Sequence, residues 1–191
     1  MTSPDRPPRV GLPKVDVLIA VCVVFISVAS LWVAVRSSQI QQKTLAASVW
    51  PYLEVGTSDT TDTGGRIILF TIKNQGVGPA LVRWITLSYH GRLFGDSRSL
   101  LQACCSFTGP VITTTIHGRV IAAREAVDFI KVLPSSMTPA QFERLDRAAA
   151  ETEHRACYCS VLDECWILGS SKKGPLPVPS CGAAPLAPDR I

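Results

Sequence analysis

Val17 to Val35 reads VLIAVCVVFISVASLWVAV: nineteen residues without a charge, of which only Ser27 and Ser30 are not apolar. As a helix rising about 1.5 Å per residue, such a run is roughly 28 Å long, close to the hydrocarbon thickness of a bilayer. A helix also closes its own backbone hydrogen bonds, which lipid cannot do for it. A small domain rarely hides a helix that is apolar all round, so residues 17–35 read as a transmembrane helix. Ser27-Val28-Ala29 offers the small residues that a signal peptidase requires. The apolar run nevertheless continues to Val35 before meeting Arg36, which is the form of an uncleaved signal anchor. Ile19-Ala20-Val21-Cys22 matches a lipobox only loosely, because Val21 stands where a small residue is needed.

The flanks set the expected orientation. Arg6, Arg9 and Lys14 precede the run, and Arg36 and Lys43 follow it, so the positive-inside rule puts residues 1–16 in the cytosol by a narrow margin. Six of the seven cysteines lie after the run, which suits an oxidising compartment. The expectation is a single-pass protein of the bacterial inner membrane, N-terminus in, with the remainder periplasmic. Residues 36–49 (RSSQIQQKTLAASV) hold no Gly or Pro and are expected to continue as a helical stalk, ending before Trp50-Pro51. Ala20, Ser27, Ser30 and Ala34 share a helical face on which a second copy could pack, so a homo-oligomer formed through the span is a candidate.

The whole chain has 191 residues, 47% apolar and 18% charged, with a net charge of +4 from 19 Lys and Arg against 15 Asp and Glu. These values exclude a disordered chain, a fibrous rod and a multi-span transporter. The basic residues are scattered, so no nucleic-acid partner is expected.

From Tyr52 the hydrophobic period changes to that of extended chain. Tyr52–Val55 is expected to be a short strand, Ser58–Gly65 (SDTTDTGG) a turn cluster and Arg66–Asn74 (RIILFTIKN) a long strand. Residues 74–80 (NQGVGPA) read as a loop whose glycines adopt backbone angles closed to other residues. In Leu81–His90, alternation puts Val82, Trp84, Thr86 and Ser88 on one face, with Leu81, Arg83, Ile85, Leu87 and Tyr89 on the other. Gly91-Arg92 suits a hairpin turn to Leu93-Phe94.

Further along, Asp96–Ser106 reads as a short helix carrying Leu100, Leu101 and the pair Cys104-Cys105. Val111–Ile116 and Val120–Ala123 read as strands, as does Ala126–Leu133, with Val127, Phe129 and Lys131 opposite Asp128, Ile130 and Val132. Thr138-Pro139-Ala140-Gln141 announces a helix with a capping box, running to about Glu151 with Phe142, Leu145 and Ala149 inward. Strands are expected again at Ala156–Leu162 and Cys165–Leu168, with a turn at Asp163-Glu164.

The expected fold is therefore mainly β. An antiparallel β-sandwich of immunoglobulin-like plan with one or two inserted short helices occupies residues 50–168, followed by a Pro-rich, mostly irregular tail at 169–191.

Chemistry concentrates in Cys157-Tyr158-Cys159-Ser160-Val161-Leu162-Asp163-Glu164-Cys165-Trp166, with Cys181 beyond. Three readings stand. Four thiolates could hold zinc, but Cys-x-Cys is an awkward pair for a tetrahedral site. A redox pair usually has the CxxC spacing, which is missing. The plain reading is two disulfides that staple the last hairpin and pin the tail, and it is preferred. Four cysteines allow three pairings; Cys159–Cys165 across the hairpin with Cys157–Cys181 is favoured. Adjacent Cys104 and Cys105 can bridge only through a strained ring and are expected to be buried and reduced.

Signatures of catalysis are missing. GxSxG and HExxH do not occur, and His90, His117 and His154 fall in different segments and read as solvated edge residues. Trp50, Trp84 and Trp166 read as core aromatics. No catalytic residue, metal or cofactor is assigned.

Val49-Trp50-Pro51-Tyr52, the 74–80 loop, and Cys157-Tyr158-Cys159-Ser160-Val161 with Glu164-Cys165-Trp166 together resemble a group of bacterial single-span membrane proteins of no established activity. The resemblance implies an N-terminal anchor, a stalk and a periplasmic β-rich domain, and it implies no mechanism. The function expected is a membrane-anchored binding or scaffold domain with an envelope protein as partner. The alternative is a redox or metal-binding accessory domain using the cysteine cluster.

Overall fold

The computed structural model describes residues 14–62, 65–169 and 174–185. The chain divides into two compact units, Met1–Leu45 and Ala46–Ile191. The described residues of the first belong to one helix, α1, which runs without a break from Lys14 to Ser48 and so includes the 36–48 segment. It is long and apolar enough to cross a membrane, with mean hydropathy 2.8 over its most apolar stretch, none of it buried.

The second unit is built of antiparallel sheets. Strands β1 (Leu53–Asp62), β2 (Gly65–Asn74), β7 (Ala126–Val132) and β5 (Ile112–Thr113) form one sheet in the order β1-β2-β7-β5. Strands β10 (Leu176–Val178), β9 (Cys165–Leu168), β8 (Glu153–Cys159), β3 (Ala80–Tyr89) and β4 (Arg92–Phe94) form the other, with β6 (Val120–Ile121) paired to the start of β3. One hydrophobic core draws on both: Leu53, Phe70, Ile72, Phe129 and Ile130 from the first sheet, Val82, Ile85, Leu87 and Tyr158 from the second. Full burial of each such side chain contributes about 1.5–3 kcal/mol.

Helices α2 (Ser97–Cys105) and α3 (Pro139–Glu151) add Leu100, Leu101, Phe142 and Leu145 to this core. Asp96 caps α2 by accepting from Ser99 N at 2.8 Å. Thr138 and Gln141 form the reciprocal capping box of α3, so the local signal in the sequence is the device that starts the helix.

The structure departs from the simple pattern at several places; among them, the strand expected at Ala156–Leu162 is Glu153–Cys159 and that at Val111–Ile116 is only Ile112–Thr113. The segment expected to turn at Ser58–Gly65 instead stays paired from Ser58↔Leu69 to Asp62↔Gly65, because threonine suits a pleated surface as well as a loop. Residues 63 and 64 between these strands lie outside the described residues. The expected alternation of β3 breaks at a bulge between Val82 and Trp84, where Arg83 has no partner on β8. An extra residue reverses the faces. Val82, Ile85 and Leu87 therefore share the core, and Trp84 and Thr86 belong to the opposite face. A second bulge, where Phe70 pairs with Ile130 and Thr71 with Asp128, does the same in β7: Phe129 and Ile130 are both buried.

The β3–β4 turn is centred on His90 and Gly91 (φ 50° and 76°) rather than Gly91-Arg92, since the tight hairpin turn wants positive φ at both central residues. Lastly, the tail is not wholly irregular: Leu176, Pro177 and Val178 pair with Ile167, Trp166 and Cys165 as an edge strand, where proline is tolerated.

Candidate functional site

The register of β8 and β9 sets Cys159 opposite Cys165, and the two are bonded with Cα atoms 4.0 Å apart. Cys157 lies two residues back on the same face of β8 and is bonded to Cys181, Cα to Cα 5.6 Å. Ala156 and Tyr158, the alternate residues, point into the core. The bulge in β3 brings Trp84 opposite Cys157 on this outer face, and the Trp84 indole donates to the Cys181 carbonyl at 2.9 Å. The segment carrying Cys181 thus covers Trp84, which is only 4% exposed.

The four sulfurs form one cluster. Cys159 Sγ and Cys181 Sγ, from different disulfides, are 3.6 Å apart. The sulfurs of Cys159, Cys165 and Cys181 all lie within 4.8 Å of one another. Cys157, Cys159 and Cys165 are buried and Cys181 is half-buried. A metal would need these sulfurs as thiolates, and as paired here none is free.

The turn that closes this hairpin is organised by Ser160, which the sequence reading passed over. Its hydroxyl accepts from Leu162 N (3.1 Å) and Glu164 N (3.3 Å), while its backbone N–H donates to Glu164 O at 2.8 Å. Asp163 takes φ 58° and, with Glu164, is exposed. A serine directly after a strand and just ahead of a turn is the signal that could have found it. Tyr158 stacks on Trp166 with ring centroids 5.7 Å apart, and burial pushes its phenol pKa up to about 12.

Cys104 and Cys105 are joined by a disulfide, contrary to the expectation that they stay reduced. Their Cα atoms are 3.8 Å apart, as any trans peptide requires. They end α2, where Ser106 leaves the helix in the left-handed conformation (φ 52°).

The loop at 74–80 has a different purpose from the one its glycines suggest. Neither Gly76 nor Gly78 takes a positive φ. Both let backbone approach backbone: a Cβ on Gly76 would meet Pro51 C at 2.7 Å, and one on Gly78 would collide with Val49. Val77 N and Gly78 N donate to Trp50 O at 3.0 and 3.2 Å, and Gln75 N donates to Tyr52 O at 2.7 Å. At the centre is Asn74, fully buried. Its Oδ1 accepts from Tyr52 N (3.2 Å) and Gly76 N (3.0 Å), and its Nδ2 donates to Gly78 O (2.8 Å) and Ile121 O (3.0 Å). All four bonding positions of the carboxamide are used. The 49–52 and 74–80 motifs are therefore one structure.

Of the remaining candidates, His90 is exposed with Nε2 3.5 Å from Glu151, His117 is exposed, and His154 is half-buried rather than solvated. Desolvation holds the His154 pKa below its usual 6.5, against an opposing pull from Glu153. Trp50 is 45% exposed and packs edge-on against Tyr52 rather than in the core. An open cleft of about 610 Å³ is lined by Tyr52, Glu54, Glu151, Glu153 and His154 among others. Arg66 bonds to Asp59 (2.8 Å) and lies 3.4 Å from both Glu143 and Asp146. Its guanidinium holds the Asp59 carboxyl below the usual range. All four side chains are well exposed, so the network is worth little.

No family model matches this chain, and comparison with curated proteins and with solved structures yields no match.

Proposed function

We propose that the chain is a single-pass membrane protein whose α1 crosses the bacterial inner membrane once, N-terminus in, and displays residues 50–185 in the periplasm as a disulfide-stapled binding domain. The observation that carries this reading is α1 itself, an apolar helix with no buried residue, joined to a unit that closes its own core without it. Residues 36–48 then serve as a stalk. The pairing of all six cysteines after the span favours an oxidising space, since cytosolic thiols are kept reduced. Two sheets sharing one core favour a sandwich plan. The role is to hold another envelope component, and the cleft beside Glu54, Glu151 and Glu153 is the concave surface the domain offers for it.

Reporter fusions at the C-terminus test the location: an export-dependent enzyme is expected to be active and a cytosol-dependent fluorophore dark, and the reverse result overturns the reading. A photo-crosslinking residue at Glu54 is expected to capture an envelope component that one at exposed Gln102 on α2 does not. Equal capture at both sites removes the cleft from the proposal.

A further inference from the structure

We propose that the cluster is a dithiol–disulfide exchange site, in which the disulfide moves through a third pairing, Cys159–Cys181. Three observations carry this. The two disulfides touch: Cys159 Sγ and Cys181 Sγ are 3.6 Å apart, so about 1.5 Å of closure makes a bond. Only one of the four sulfurs belongs to a half-buried residue, Cys181, which gives an outside thiol a single point of attack. And Cys181 sits on a segment held independently by the Trp84 hydrogen bond and by β10, so opening its disulfide does not release it from the cluster.

The co-reactant is a dithiol protein of the same compartment. One of its thiolates attacks Cys181 Sγ and expels Cys157 as a thiolate, which takes up a proton. Its second thiol attacks the mixed disulfide, leaving the co-reactant oxidised and Cys181 as a thiolate. That thiolate attacks Cys159 Sγ and expels Cys165. The product carries a Cys159–Cys181 disulfide with Cys157 and Cys165 as thiols, two electrons below the starting state. Exchange of this kind needs an attacking thiolate and access to the sulfur attacked. Here the first arrives from solvent and the second is already in contact. The tail stays tethered in the product, so the exchange need not undo the fold.

This inference rests on the extracytoplasmic reading for its co-reactant alone. The chemistry is read on purified protein, so its failure is distinct from a failure of the reporter test. Full-length protein in detergent is titrated with limiting dithiothreitol, quenched in acid, alkylated and mapped by peptide fragmentation. Cys22 is free and takes label in every species, and label on Cys104 and Cys105 reports only their own disulfide, so the cluster is read separately. Its expected two-electron species carries label on Cys157 and Cys165 together with a Cys159–Cys181 bond. Label found only on native pairs, Cys157 with Cys181 or Cys159 with Cys165, overturns the proposal. In Cys165→Ser, which leaves Cys159 without its partner, label is expected to divide between Cys159 and Cys157 after incubation at mildly alkaline pH. Within the cluster, label on Cys159 alone in the folded variant overturns it equally, and the wild-type titration decides where that variant does not fold.

Discussion

The indole N–H of Trp84 and the backbone carbonyl of Cys181, 97 residues apart in sequence, meet at 2.9 Å on the outer face of the second sheet. The bond makes the C-terminal segment part of the domain instead of an appendage. In Trp84→Phe the ring is largely replaced and the donor is lost, leaving a part-buried carbonyl unpaired. The expected cost is about 1 kcal/mol in the thermal or denaturant melt, with the Cys157–Cys181 bond still formed. A melt unchanged from wild type would show that solvent replaces the indole.

Asn74 has the larger expected effect. Asn74→Ala strands the buried N–H of Gly76 and the part-buried N–H of Tyr52, and withdraws a donor from the carbonyls of Gly78 and Ile121. The expected loss is about 2–4 kcal/mol, read as a lowered Tm. Asn74→Asp keeps the acceptor but turns a carboxylate oxygen toward two carbonyls. Its deficit should shrink as pH falls and the acid protonates, a reversal that Asn74→Ala cannot show.

The glycines differ in what they tolerate. Gly78→Ala drives a methyl group into the Val49 backbone, and neither side can move without breaking the bonds to Trp50. A loss of about 3 kcal/mol is expected. Gly56 in β1 has open space around its Cβ position and no positive φ, so Gly56→Ala is expected to raise stability by about 0.5 kcal/mol. Paired melts of the two variants check both signs together.

His154 sets an expected slope with pH. Its folded-state pKa lies below 6.5 because burial disfavours the imidazolium. Below 6.5 the unfolded chain takes up a proton that the folded chain refuses. The contribution is therefore complete above that value and is lost progressively as pH falls from 6.5 toward the folded-state pKa. Wild-type Tm between pH 7.5 and 5 should fall more steeply than that of His154→Gln, and parallel profiles would remove the residue from the account.

Local signals were readable in the chain because their cause is local. The capping box at Thr138 and Gln141 and the length of α1 depend on residues within a turn or two of each other. The long strands were readable in kind, yet the faces of β3 and β7 were not. Arg83 and Phe129 are skipped by bulges that only the partner strand imposes, and one extra residue inverts every assignment beyond it. The four cysteines announced a cluster, and of the three pairings they allow, the hairpin expected around Asp163-Glu164 favoured the one observed. Register selects Cys159–Cys165, and the course of the tail selects Cys157–Cys181. Asn74 gave no sign at all. An asparagine beside Gly-x-Gly looks like any loop residue until Tyr52 and Ile121 arrive from elsewhere in the fold.

The Asn74 clasp also determines how a tug would be felt. Residues 49–52 are laced by main-chain bonds to residues 75–78, and the same carboxamide grips Ile121, whose neighbour strand is β3 of the second sheet. No slack coil separates Val49 from the sheets, so a pull or twist delivered there loads both layers at once instead of peeling off β1. A domain gripped in this way at its first residues meets a load with main-chain bonds and a buried carboxamide rather than with loose chain.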